Sequence, residues 1–150
     1  MKRAGFLRAA TVLGVFALLP PASPVFAQDT TLRVVLKGHD PVAYFTDGKP
    51  VMGNPKISYD WDDARYYFAS AKSRATFAAD PDRYVPQFGG YCTGSMSRGV
   101  RAEADPQAWV IVDARLYVFG QVKFKEIADK DPDWVRVRLA AADANYRAKK

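Results

Sequence analysis

Two pairs of short, largely hydrophobic segments in this chain are each joined across two residues, and each pair predicts a β-hairpin. The first pair consists of residues 57–61 and 65–68, and the second of residues 109–112 and 116–119. Alternation with a period of two places successive side chains on opposite faces of a strand. Two hairpins joined by two-residue turns are therefore expected, each with one face toward a core.

A helical pattern follows the first hairpin directly. Ser70 is suited to cap a helix over residues 71–79, because its hydroxyl can accept a hydrogen bond from a free backbone N–H in the first turn. Asp80 and Pro81 are expected to end that helix, since proline cannot continue the hydrogen-bond ladder. A helix enclosed between these signals is predicted here.

A second, longer helix is predicted at the end of the chain, over residues 133–146. Its apolar residues recur at helical spacing and form an amphipathic stripe. The stripe consists of Val135, Leu139, Ala142 and Tyr146. Together with the hairpins, the helices predict an α+β fold with a small antiparallel sheet, helices packed on one face and this amphipathic helix closing the chain.

Three shorter segments complete the expected organisation. Residues 32–36 are predicted as a strand, and residues 42–45 as an extended segment because Pro41 precedes them. Two glycines allow a tight turn before a short helical piece over residues 91–97, which would place Cys92 in its first turn.

The first 27 residues have the composition of a secretory signal. Lys2, Arg3 and Arg8 precede an apolar run, and Ala27 ends a small-residue cleavage sequence. The apolar run is shorter than the roughly 20 residues that a permanent transmembrane helix needs, and no later segment is continuously apolar. We therefore expect a signal peptide over residues 1–27, a single domain over residues 28–150, and a soluble product in the periplasm or outside the cell.

Charge and cysteine content narrow the function classes. Three of the 22 Lys and Arg residues lie in the predicted signal, so the remainder, with its 16 Asp and Glu residues, carries a net charge of +3. This charge is small and interspersed, which does not indicate a nucleic-acid surface. One cysteine cannot form an intramolecular disulfide, so stability must come from packing. Sequence motifs of common enzymes are absent, which favours a binding protein over an enzyme.

Several segments resemble a known family. The stretch from Tyr66 to Tyr84 with the upstream Asp40-Pro41-Val42 resembles the YHS domain, a small module of proteins that handle heavy metals. The segments GHDPVAYF, PQFGGYC, AWVIVDARLYVF and ADANY are similar to a secreted branch of that family. This resemblance extends over roughly residues 36–146 and implies a possible metal-binding role.

The chain departs from that family at the residues that matter most for metal binding. The resemblance implies cysteines after the Asp-Pro-Val triplet and on either side of the start of the helix, but here these positions are Ala43, Ala69 and Ser73. An alanine methyl cannot bind a metal, and a serine hydroxyl is a poor ligand for soft metals. Any metal site would have to be built from other residues.

Cys92 is the first candidate for such chemistry. Met96 lies four residues further on, where a helix would place its thioether and the thiol on one face, an arrangement suited to Cu(I). His39, the only histidine, could add an imidazole ligand. Each residue also has an ordinary structural interpretation: a buried thiol, a core methionine and an aromatic ring packed in a loop.

The aromatic residues suggest a second kind of site. Most of the numerous aromatic side chains must be core, but strand alternation sends some to the opposite face. Tyr91, Phe88 and Tyr44 could in this way line a pocket for a small apolar or planar ligand near Cys92.

Three functional hypotheses follow from these residues. The first is an exported binding domain that holds a soft metal such as copper through Cys92, Met96 and His39. The second is a thiol-dependent enzyme or redox sensor in which His39 acts as the base for Cys92. The third is a structural or interaction domain without metal, in which Cys92 is buried.

Overall fold

The computed structural model describes residues 31–150, which form one compact unit of mixed α+β structure, as predicted. The predicted signal peptide lies outside the described residues. Within residues 31–150, no helix is both long enough and apolar enough to cross a bilayer.

The strands form two separate sheets, where the sequence predicted one. The three-stranded sheet contains β1 (Arg33–Val34), β2 (Asn54–Trp61) and β3 (Ala64–Phe68) in the order β1-β3-β2. In this sheet β2 is antiparallel to β3, whereas β1 is parallel to β3. The two-stranded sheet pairs β4 (Asp105–Val112) with β5 (Arg115–Phe119) in antiparallel register.

Both predicted hairpins are confirmed, and their turns share one backbone feature. Asp62 and Asp63 have φ angles of 47° and 62°, and Asp113 and Ala114 have φ angles of 50° and 58°. Two successive residues with positive φ make the turn that matches the right-handed twist of paired strands. For a residue with a Cβ atom, such as Ala114, the left-handed conformation costs roughly 1 kcal/mol. The pairing of the two strands offsets this cost.

Six α-helices accompany the sheets. They are α1 (Ala43–Thr46), α2 (Ala71–Ala79), α3 (Pro81–Tyr84), α4 (Thr93–Met96), α5 (Val122–Lys130) and α6 (Pro132–Arg147). The predicted helix over residues 71–79 is confirmed, with the Ser70 hydroxyl accepting from the Ser73 N–H at 3.1 Å. The predicted closing helix is also confirmed, and Asp131 caps it by accepting from the N–H groups of Asp133 and Trp134.

Two predicted extended segments near the start of the domain are corrected. Residues 42–45 were expected to be extended, but α1 begins at Ala43, because the Asp40 carboxylate accepts from the Val42 N–H at 2.9 Å and starts a helical turn. The strand predicted over residues 32–36 ends at Val34, where a tight turn with positive φ at Leu36 begins.

The segment around Cys92 also differs from its prediction. The helix predicted over residues 91–97 is shorter, since α4 begins at Thr93 and Tyr91 instead pairs with Glu103 in an isolated β-bridge. Cys92 therefore precedes the helix and does not lie in its first turn. Helix α5 was not predicted at all.

The hydrophobic core has two clusters, and β5 contributes to both. Leu116 and Val118 pack in the first cluster with residues such as Phe68 and Phe77. Tyr117 and Phe119, which point to the opposite face of the same strand, pack in the second cluster with Met96 and Val135. The two-stranded sheet is thus buried on both faces, and it separates the surroundings of α2 from those of α5 and α6.

Candidate functional site

A cavity of about 390 Å³ opens beside Cys92, where the turn before α4 meets the first turn of α5 and the middle of α6. Ligand cavities in proteins usually range from roughly 300 to 1,000 Å³. Its lining combines a thiol, two aromatic rings and three cationic side chains. These are Cys92, Phe124, Trp134, Arg98, Lys123 and Arg138.

Backbone hydrogen bonds hold Cys92 at the wall of this cavity. Its N–H donates to the Ala102 carbonyl at 2.9 Å, and its carbonyl accepts from the N–H groups of Ser95 and Met96. The residue is 5% exposed, and its thiol is free. A β-carbon added at Gly120 would lie 3.7 Å from Cys92 Sγ, so the thiol faces the open side of that glycine.

The aromatic wall is formed by Phe124 and Trp134. Their rings are nearly parallel, with centroids 5.9 Å apart and an interplanar angle of 16°. Phe119 from the second core cluster supports the Trp134 ring from below, at a centroid distance of 5.6 Å. The wall is therefore continuous with the core and offers an ordered apolar surface to a ligand.

Three cations surround the aromatic wall. The Arg138 guanidinium lies 3.8 Å from the centroid of the Trp134 ring and donates to the Trp134 carbonyl. The Lys123 ammonium lies 5.2 Å from the centroid of the Phe124 ring. Arg98 is exposed at the end of α4. Cation–π contacts of this kind orient the charged groups without neutralising them.

The structure places the predicted metal-site residues in different surroundings. Met96 is fully buried in the second core cluster and does not line the cavity. His39 does not line it either; its Nδ1 donates to the Leu36 carbonyl at 3.0 Å, and its backbone pairs with Met52. Cys92 is thus the one member of the predicted set that reaches this cavity.

The described residues contain no group of three or more His, Cys, Asp or Glu side chains that could hold a metal ion. A site made of Cys92 and Met96 would have to rely on sulfur alone. The copper site therefore stays a prediction from the sequence.

The aromatic residues predicted to line a pocket fall into two groups. Tyr91 is half-buried beneath the guanidinium of Arg33, whose Cζ lies 4.1 Å from the ring centroid, and it lines a cavity of about 210 Å³. Phe88 lines a neighbouring cavity of about 170 Å³ that shares Gly89 and Tyr146 with the first. Tyr44 is 1% exposed and donates its hydroxyl to the Pro106 carbonyl at 3.0 Å, so it belongs to the core.

A second polar cavity, of about 230 Å³, lies beside Asp40. This carboxylate is 1% exposed. One of its oxygens accepts from the Val42 N–H at 2.9 Å, and the other accepts from the Ala69 N–H at 2.9 Å and from the Ser73 hydroxyl. The buried charge is thus hydrogen-bonded to three donors and ties α1 to the start of α2.

The three positions where the resemblance implies cysteines all lie around this second cavity. Ala43, Ala69 and Ser73 line it together, and Asp40 bonds to two of them directly. The tertiary structure therefore brings these separated positions into one place, but it offers a carboxylate and a hydroxyl there in place of thiolates.

Comparison of the chain with family models, with curated proteins and with solved structures found no match. The resemblance to the YHS domain accordingly stays a prediction.

Sequence reasoning missed most of the cavity beside Cys92 because it missed α5. Lys123 and Phe124 lie in the first turn of that helix, and Gly120 lies two residues before its start. The spacing of Phe124 and Ala128, four residues apart and both directed inward, was the available signal. Arg98 and Arg138 carried no signal, since arginines at the surface are common.

Proposed function

We propose that this chain is an exported domain that binds a small organic molecule in the cavity beside Cys92. The observation that carries this proposal is the combination of an ordered aromatic wall with three cationic side chains, none of which has an acidic partner among residues 31–150, in one cavity of suitable volume. Binding sites are typically built in this way, from an apolar surface and a few convergent polar groups that fix orientation. Export is proposed from the predicted signal peptide.

The contacts of His39 favour binding over thiol chemistry. A thiol-dependent enzyme needs a base within hydrogen-bond reach of its nucleophile. The single histidine uses Nδ1 to bond the Leu36 carbonyl, and among residues 31–150 neither histidine nor carboxylate lines the Cys92 cavity. Cys92 is therefore assigned a place in the wall of the site, where its small, polarizable sulfur contacts the ligand.

Copper binding through Cys92 is a separate proposal, motivated by the sequence. An anaerobic Cu(I) titration of wild-type and Cys92→Ser protein in the presence of a competing chelator tests it. Equal affinity in the two proteins would exclude a thiolate site.

Substitution of Gly120 offers the sharpest test of the proposed cavity. A β-carbon at this position meets only Cys92 Sγ within 4 Å, at a normal contact distance, so the backbone tolerates a side chain there. Gly120→Leu is expected to fill the cavity, whereas Gly120→Ala adds one methyl group and leaves most of it open. The two variants thus differ in ligand space but share the loss of glycine.

The experiment measures binding of a fluorescent hydrophobic probe, phenylnaphthylamine, and of its sulfonated analogue, anilinonaphthalene sulfonate. At least one probe should bind wild-type protein and Gly120→Ala, and its binding should be lost in Gly120→Leu. The bound probe should also slow alkylation of Cys92 by iodoacetamide. Binding that persists unchanged in Gly120→Leu, or no binding of either probe, would refute the proposal.

A further inference from the structure

The cations around the Cys92 cavity have no acidic partners among residues 31–150. Among the ion pairs formed within residues 31–150, none involves Arg98, Lys123 or Arg138. No Asp or Glu of this described part of the chain lines the cavity either. Three positive charges thus converge on one small, half-enclosed space without a carboxylate to balance them.

Most other cations on the same two helices form ion pairs, and the exception within residues 31–150 is Lys130 at the end of α5. Lys125 of α5 pairs with Asp129 at 2.6 Å, and Arg136 of α6 pairs with Asp113 at 2.9 Å. These paired side chains do not line the cavity. Lys123 and Arg138 thus combine the lack of an acidic partner within residues 31–150 with a position at the cavity.

The backbone adds to this positive field. Helix α5 has nine residues and begins at the cavity, and its N-cap residue Gln121 makes no side-chain hydrogen bond. Its first turn contains Lys123 and no acidic residue. The free N–H groups at such a helix start carry partial positive charge, which acts together with the cavity side chains on any anion nearby.

The apolar part of the cavity restricts the kind of anion. Phe124, Trp134 and the Cys92 thiol form an apolar wall. A small inorganic ion would not cover this wall, so the wall would stay in contact with water and its burial would contribute nothing to binding. An organic anion can cover this wall with its apolar body and place its charged group among the cations. The Arg138 guanidinium is already oriented by the Trp134 ring and carbonyl, so little conformational entropy is lost when it binds.

From these contacts we infer that the ligand of the Cys92 cavity is an organic anion with an aromatic or otherwise planar apolar body, such as an aromatic carboxylate or sulfonate. This inference rests on the proposed function and specifies its ligand. Arg98, Lys123 and Arg138 bind the charged group, and Phe124 and Trp134 contact the apolar body.

The test compares the two probes described above, which share the same aromatic scaffold and differ by one sulfonate. Both are titrated into wild-type protein, into the Arg98→Gln/Lys123→Gln variant, and into a control variant, Lys49→Gln/Lys56→Gln. The control removes the same charge from exposed lysines that do not line the cavity. Circular dichroism of each variant verifies that the fold is intact.

The sulfonated probe should bind wild-type protein and the control equally, and about tenfold more weakly to Arg98→Gln/Lys123→Gln. A higher salt concentration should weaken binding of the sulfonated probe to wild-type protein. Binding of the neutral probe should change neither with salt nor with the double substitution. The inference fails if the neutral probe binds the wild-type cavity as tightly as the sulfonated probe and the Arg98→Gln/Lys123→Gln variant binds both probes with wild-type affinity. The proposed function still stands in that case, provided that Gly120→Leu abolishes binding of both probes. If neither probe depends on Gly120, the proposed function fails as well.

Discussion

Two cavities of this protein, beside Asp40 and beside Cys92, use charge in opposite ways. Beside Asp40, a buried carboxylate is hydrogen-bonded to two backbone N–H groups and the Ser73 hydroxyl. Beside Cys92, three cations line an aromatic wall and none has an acidic partner within the described chain. A charge satisfied by its own protein holds the fold together, whereas charges left unpaired around a cavity are available to a ligand.

The comparison changes the interpretation of the sequence pattern. The Asp-Pro-Val motif and the start of α2 are the segments on which the YHS resemblance depends, and they build the Asp40 cavity. The Gly-Gly-Tyr-Cys segment leads to the other cavity. If the first cavity is structural and the second binds a ligand, substitutions in them should separate stability from binding.

The largest expected effect is on stability at Asp40. The Asp40→Asn substitution replaces one accepting carboxylate oxygen with an NH2 group. In either orientation of the amide, this buried donor would face a backbone N–H, that of Ala69 or that of Val42. We expect the free energy of unfolding to fall by about 3 kcal/mol, measured by urea denaturation.

The matched control for this change is Asp47→Asn. Asp47 lines the same cavity but is exposed, and we expect its substitution to change the free energy of unfolding by less than about 0.5 kcal/mol. Equal effects at the two positions would contradict a structural role specific to Asp40.

A smaller effect is expected from the buried tyrosines of the first core cluster at alkaline pH. Burial raises the pKa of Tyr44 and of Tyr66 well above the usual value of about 10. The stability that depends on their protonated hydroxyls is complete below pH of about 10, and it is lost as pH rises further, because the unfolded state ionises first. Tyr44→Phe should therefore reduce the alkaline loss of stability.

Thermal or urea unfolding followed from neutral pH to about pH 11 measures this effect. Tyr59→Phe serves as the control, since Tyr59 is only half-buried on the same cluster. If the free energy of unfolding falls equally at alkaline pH in wild-type and Tyr44→Phe protein, the Tyr44 hydroxyl does not contribute to this loss of stability.

The smallest expected effect on stability is at the Cys92 cavity. Because Arg98 and Lys123 are exposed and unpaired with any described carboxylate, the Arg98→Gln/Lys123→Gln variant should unfold within about 0.5 kcal/mol of wild type. Removing their mutual repulsion with Arg138 could only add stability. A loss of 2 kcal/mol or more, on the order of a buried contact, would assign these cations a structural role and weaken the contrast between the cavities.

Local signals in the sequence predicted the elements that depend on neighbouring residues. The helix capped by Ser70 and ended by Asp80-Pro81 was predicted with its observed bounds, because capping and proline act within one turn. The two hairpins were predicted for the same reason, since alternation and turn residues lie within a dozen positions. The prediction that residues 42–45 are extended was wrong, because the hydrogen bond that the Asp40 carboxylate accepts from the Val42 N–H overrode the extended preference near Pro41.

By itself, therefore, the sequence determined the α+β class, the hairpins, helices α2 and α6, and the prominence of Cys92. Only the tertiary structure decided that β5 lies between two core clusters, that His39 and Met96 do not line the Cys92 cavity, and that Arg98, Lys123 and Arg138 do. These residues are separated by up to 40 positions along the chain. Their convergence depends on how α4, α5 and α6 pack around the second cluster, and packing between distant segments leaves no periodic mark in a single sequence.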